Sequence, residues 1–354
     1  MEGVADDVIS VILVFAKDNH GLTEDSLNTA ISKFNGNADA LEKYNCLPLP
    51  NARYIAKSKS FACDGTAAQT RTLLTRLPYI LNLVNLTHPE LFFRSKHFKY
   101  FSLLVKISSF VHATCLHYCD VRDLKLLISK FLTLHVEILS SSNNNVKRYV
   151  KPKAHHLIHY PDLTFQNGPL RYSSTLCHER SMAKYKLTIY SHLNPTFQIA
   201  NAMRFQMLTF ANSCFEFFSY IDNKTTDLSK YTFPNVQLPQ SAIVHKKLKF
   251  HGMMLASGLA VLSDMPSATW ITQSNPPSFC QIKLVYSVLD NIFLVLQDMK
   301  VVTFLRNFMA YEVQYTTKFY VMEIKNLPIL KTFSIHEFNE KMLLFPDSLP
   351  FKEY

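Results

Sequence analysis

The chain has 354 residues, 48% hydrophobic and 18% charged, a composition that builds a real core and excludes an intrinsically disordered protein. Lys and Arg outnumber Asp and Glu by 37 to 27, a net charge of +10 that favours a polyanionic partner, nucleic acid before others. Seven cysteines without a regular framework point to a reducing compartment, and seven glycines disfavour a nucleotide-binding fold. Met1 is followed by acidic residues instead of a basic region and an apolar core, so no secretory signal is expected. The longest apolar runs, such as Val8 to Ala16, are too short to span a bilayer. The expected location is nuclear, with the cytoplasm as the alternative.

In chain order, Val8, Ile12 and Phe15 form a helical stripe that Gly21 stops. Thr23 is an N-cap for a second helix carrying Leu27, Ile31 and Phe34 on one face. Gly36 to Ser60, polar and turn-rich with Pro48 and Pro50, reads as a connecting loop. Helices are predicted over Gly65 to Leu83, Tyr100 to Leu116 and Val121 to Leu139, each amphipathic by period. A polar Ser140 to Asn145 loop then leads into a basic run, Lys147, Arg148, Lys151 and Lys153, either a solvated surface or a phosphate-contact surface. His155 and His159, four apart, share one helix face, the spacing that presents two nitrogen ligands to zinc. Gly168-Pro169 breaks that helix, and Glu179 follows on a segment bearing Arg180, Lys184 and Lys186, with helix continuing to about Tyr220.

Beyond a polar linker at 226–240 the composition changes. Residues 241–325 are β-branched and aromatic in short runs, with Asp290-Asn291 as a hairpin turn and Gly252 and Gly258 punctuating another pair of strands. This predicts a small antiparallel β-barrel of SH3-like kind. Residues 326–354 read as a mixed, loosely packed tail. The expected class is α+β, with a helical unit at 1–225 and a β unit at 241–325.

The stretch Lys151 to Gln206 resembles the C-terminal part of CACTA (En/Spm-like) DNA transposases of the animal type. The matching residues, in order, are Pro152, Lys153, His155, His159, Tyr160, Pro161, Gly168, Pro169, Glu179, Lys186, Asn194, Ala202, Arg204 and Gln206. Cys177-His178 stand where that family usually has Arg-Phe, and Met182 where it has His. More diffuse matches are Glu2-Gly3-Val4, which in the family follows an essential Asp, Gln69 and Pro78 in an Ala-x-Gln helix, and Ala310 to Val313 in a β-rich tail. The resemblance implies that the helices are the insertion and C-terminal edge of a ribonuclease-H-like core. There three carboxylates hold two Mg²⁺ ions for DNA cut-and-paste chemistry. Glu179 stands at the third carboxylate, and the expected Asp falls just before Met1.

One carboxylate cannot assemble a two-metal site. The expectation is therefore a truncated, catalytically inactive, transposase-derived protein. The alternatives are a repurposed DNA- or chromatin-binding module without chemistry, or a relic that folds poorly. Phosphate contacts are expected from Lys147, Arg148, Lys151, Lys153, Arg180, Lys184, Lys186 and Arg204. A structural Zn²⁺ site would join His155 and His159 to Cys115 and Cys119, also four apart; the bland reading makes these helix-end histidines and small core cysteines. Expected partners are DNA and, secondarily, another copy of the chain, with no membrane and no small-molecule substrate.

Overall fold

The computed structural model describes residues 2–37, 48–63, 65–113, 116, 118–142, 152–170, 200, 218–220, 224–225, 230–250, 253–263, 277–289, 291–328 and 332–345. The chain is α+β with antiparallel pairing throughout its described strands. Helix α1 (Glu2–His20) buries Val4, Val8, Ile12 and Ala16 at i, i+4 spacing together with Ala5, Ile9 and Leu13. Gly21 ends it at φ 70°, and the Leu22 N–H reaches back six residues to the Ala16 carbonyl at 3.2 Å. Thr23 then caps α2 (Glu24–Asn37) as its position predicts: the Ser26 N–H donates to Thr23 Oγ1, and the Thr23 N–H to Ser26 Oγ, both at 3.1 Å.

The expected loop after α2 ends in a hairpin instead, β1 (Ala52–Ile55) paired with β2 (Ser60–Cys63). Polar side chains on α2 hold it. The Asn28 amide bonds both the N–H and the carbonyl of Ala52 at 2.9 Å, and Asn35 does the same for Leu49. Glu24 Oε2 accepts from the Tyr54 N–H at 2.8 Å. Each amide side chain thus stands in for a neighbouring strand. Asn28→Ala should cost about 1–3 kcal/mol, read as a shifted urea midpoint, because it strands two backbone groups of Ala52, a residue 2% exposed.

Among the described residues, six more helices and a 3-10 turn follow: α3 (Ala67–Leu83), α4 (Pro89–Arg94), α5 (Lys96–Val111), α6 (Tyr118–Ser142), α7 (Pro152–His156), the turn (Leu157–His159) and α8 (Tyr160–Asn167). Gln69 closes a capping box with Thr66 and donates from Nε2 to the Pro48 carbonyl at 2.9 Å. Pro78 lies inside α3, and the Asn82 side-chain amide binds its carbonyl at 2.7 Å.

Among the described residues, nine strands form one sheet. Its main path runs β12 (Thr332–Phe333), β8 (Ala260–Leu262), β9 (Phe279–Val288), β10 (Asn291–Leu305), β11 (Ala310–Glu323), β14 (Lys341–Leu344), β13 (Ile335–Phe338). Strand β5 (Ile243–His245) also pairs with β9 and carries β4 (Lys224–Thr225). A smaller sheet joins β3 (Phe218–Tyr220), β6 (Lys247–Phe250) and β7 (Met253–Ala256), so β structure already begins where helix was expected. Leu248 and Leu255 of the small sheet share a core with Cys280, Ile282, Leu294 and Leu296 of the large one. The opposite face of the large sheet is lined by Phe279, Met299, Tyr311 and Val313, and by Leu284, Tyr286 and Val295. The Cys280 thiol touches the Tyr320 hydroxyl at 2.8 Å, and burial pushes that thiol up to about 11, which makes it an inert core group.

The last strands tie the sheet to the helices. Leu343 and Phe345 share the helical core with Phe308, Met309 and Ala310 from the β10–β11 turn. Arg76 of α3 is fully buried, its guanidinium 4.3 Å from the Phe345 ring centroid and donating to Ser334 Oγ at 2.9 Å. The Tyr79 hydroxyl donates to the Glu337 carbonyl, and Asn82 Nδ2 to that of Asn307 at 3.0 Å. His336 stacks on Phe34 of α2 at 5.4 Å. The segment expected as a loose tail is therefore sheet and core over 332–345.

Candidate nucleic-acid interface

The histidine segment folds as α7, the 3-10 turn and α8 because its apolar and small residues recur on one side. Ala154, Leu157, Pro161 and Thr164 are buried, while Lys153, His155, His156, His159 and Asp162 face outward. Gly168 leaves the helix at φ 76°, the stop its Gly-Pro sequence predicts. The His155 and His159 rings come within 5.4 Å of one another, centroid to centroid, at 77°. That separation and angle are those of an ordinary edge-to-face ring contact, and they do not by themselves aim the ring nitrogens at one point.

The other two expected ligands are not assembled with them in the described residues. Cys115 lies outside those residues. Cys119 is half-buried in the first turn of α6, next to Tyr118, whose ring meets Phe165 near the far end of α8 at 5.9 Å. Phe165 is six residues past His159, about 9 Å along a helix. Among the described residues no group of three or more His, Cys, Asp or Glu is placed to hold a metal ion. Glu179, Arg180, Lys184, Lys186, Arg204, Lys147, Arg148 and Lys151 also lie outside the described residues. No described helix is long and apolar enough to cross a membrane.

Lys153 is the expected phosphate-contact residue that the structure does describe. Its side chain crosses the first turn of α1 over Gly3: a Cβ built on Gly3 would stand 2.8 Å from Lys153 Nζ and 2.9 Å from its Cδ. The missing side chain lets an ammonium group lie against the head of a helix, where the backbone N–H groups are also positive. The same first two turns of α1 carry the carboxylates Asp6 and Asp7, so the charge at this end of the helix is mixed.

One turn beyond Gly3, Asp7 faces a polar thread that the sequence reading missed. Tyr100 on α5, 1% exposed, is hydrogen-bonded to Nδ1 of His135 on α6 at 2.6 Å and stacks on Phe131 at 4.9 Å. Burial first, and the Asp7 charge second, push the Tyr100 phenol far above its ordinary value. The available signal was the i, i+4 pairing of Phe131 and His135 on a core-facing stripe. Comparison with models of protein families, with curated proteins and with solved structures finds no match to this chain.

Proposed function

We propose that this chain is a transposase-derived, DNA-binding protein of the CACTA type. In this reading its helices correspond to the insertion and edge of a ribonuclease-H-like core, and its large sheet to the β-barrel-like tail. The observation that carries the reading is the contact of Gly3 with Lys153. The two residues are 150 positions apart, and each belongs to one of the segments on which the resemblance rests, Glu2-Gly3-Val4 and Pro152-Lys153-x-His155. One site built from both segments would require them to meet, and the core they share, with Val4, Ala154 and Leu157 buried in it, holds them there.

In this function Lys153 holds a DNA phosphate at the head of α1. Lys147, Arg148, Lys151, Arg180, Lys184, Lys186 and Arg204 supply further phosphate contacts. His155 and His159 remain candidate nitrogen ligands for Zn²⁺, but Cys119 is not placed with them, so a structural ion here would need other partners. Mg²⁺, which in such chemistry polarises the phosphoryl oxygens, has Glu179 as its expected ligand. The nucleus is the compartment that suits these contacts, and a second copy of the chain is a compatible partner. A DNA- or chromatin-binding role without chemistry uses the same contacts, and the exposure of Lys153 favours it equally.

Fluorescence anisotropy with duplex DNA across a salt series tests the reading. Log K should fall steeply with log salt, and Lys153→Gln should make that slope shallower by about 0.9. Gly3→Ala should leave the melting temperature almost unchanged, since the clash is with a flexible side chain, yet weaken DNA binding in the direction of Lys153→Gln. Salt-independent or absent DNA binding sinks the proposal. Mg²⁺-dependent nicking that Glu179→Ala abolishes would assign catalysis; DNA binding without nicking would assign the binding role.

A further inference from the structure

The outer side of α6 and α8 carries aromatic rings and cations together. Tyr118 is 77% and Phe165 65% exposed, yet the two rings meet edge to face at 5.9 Å and form one projecting apolar surface. Leu126 of α6 and Leu163 of α8 are also exposed, as is Ile158 of the 3-10 turn that precedes α8. Large apolar side chains left in water at one place mark a contact surface. At 100° per residue, Tyr118, Arg122, Lys125 and Ser129 fall within an arc of about 60° on α6, so the aromatic pair opens directly onto two cations. Arg122 and Lys125 are exposed, and no carboxylate among the described residues pairs with either. The acids nearby are Asp123, which points well away from that arc, and the exposed Asp162 of α8.

We propose that this face binds single-stranded nucleic acid, with unpaired bases stacking on Tyr118 and Phe165 and the sugar-phosphate backbone running along Arg122 and Lys125. The proposal rests on the DNA-contact reading above and names a second surface for it. A duplex offers its phosphates to the cations but keeps its base faces hidden, which would leave the aromatic pair in water. A single strand satisfies both kinds of side chain, and every base has a face to stack. From Tyr118 to Lys125 the helix advances about 10 Å, room for about three stacked nucleotides.

The test uses the full chain, a fluorescein-labelled oligothymidylate of about 20 nucleotides and a duplex of the same length. Replacing Tyr118 and Phe165 together by alanine should weaken oligothymidylate binding about 5–100-fold, leave its salt slope in place and leave duplex binding unaltered. Replacing Arg122 and Lys125 together by glutamine should make the single-strand slope shallower by about 1.4. All four side chains are on the surface, so an unchanged melting temperature certifies the variants. Unchanged oligothymidylate affinity in the aromatic variant overturns the proposal. So does an equal loss for duplex and single strand, or binding of an acidic Leu/Glu amphipathic peptide in place of any oligonucleotide. If Lys153→Gln still weakens duplex binding in that event, the function proposed above stands and only this surface is reassigned.

Discussion

Arg76→Ala should lower the stability of the whole chain by about 3 kcal/mol or more, read as a shift of the urea midpoint. The guanidinium is out of contact with water, lies over Phe345 and donates to Ser334, 258 residues away. Alanine removes the stem from a filled core and leaves the Ser334 hydroxyl without that donor. Arg76→Lys keeps the charge but loses the planar group that both stacks and donates, so it should recover only part of the loss. Helix and sheet signals should disappear in one transition in the native chain, because Phe308, Leu343 and Phe345 share a core with α1, α3 and α5. A change under about 1 kcal/mol would mean the junction does not depend on Arg76.

The second large effect is alkaline. Tyr100 is neutral in both folded and unfolded chains below pH 10, so its contribution is fully present there. Above that pH the unfolded chain ionises its phenol while the folded chain, with the group buried beside Asp7, does not. Stability should then fall by about 1.4 kcal/mol per pH unit from this residue alone, until the folded value is reached. Tyr320, raised by burial and by the Cys280 contact, adds to the decline over a narrower pH range because it is only half-buried. Tyr100→Phe should start about 1 kcal/mol lower at pH 8, having lost the His135 bond, but should flatten the decline above pH 10. An equally steep alkaline decline in Tyr100→Phe would reject the assignment.

Local punctuation was legible in the sequence. Gly21, Thr23 and Gly168 end or begin helices as their types predict, because a positive φ or a capping oxygen is a property of one residue. The stripe Val8, Ile12 and Phe15 was readable for the same reason, since its period is local; the first two are buried and Phe15 is half-buried. What escaped depends on partners distant in the chain. Arg76 reads as a solvated charge until Phe345 and Ser334 are beside it. The hairpin at 52–63 has weak strand signals of its own and owes its shape to Asn28 and Glu24 of the preceding helix. Strands β12 to β14 are two to four residues long, too short to show an alternation. Of the candidate site, the His155–His159 face follows from spacing, whereas the crossing of Lys153 over Gly3 joins residues no periodicity connects.

The shared core spans the chain almost end to end, from Val4 to Phe345. During synthesis the helical half must wait, with apolar side chains uncovered, until the strands after residue 330 have left the ribosome. At about 5–20 residues per second, the interval between the emergence of α3 and of Phe345 is on the order of 10–50 s. Contacts of such sequence separation also slow refolding from denaturant. Slow completion and a long-lived sticky intermediate place this chain among those that depend on chaperones, and shortening it by its last thirty residues should redirect it from the native state to aggregates.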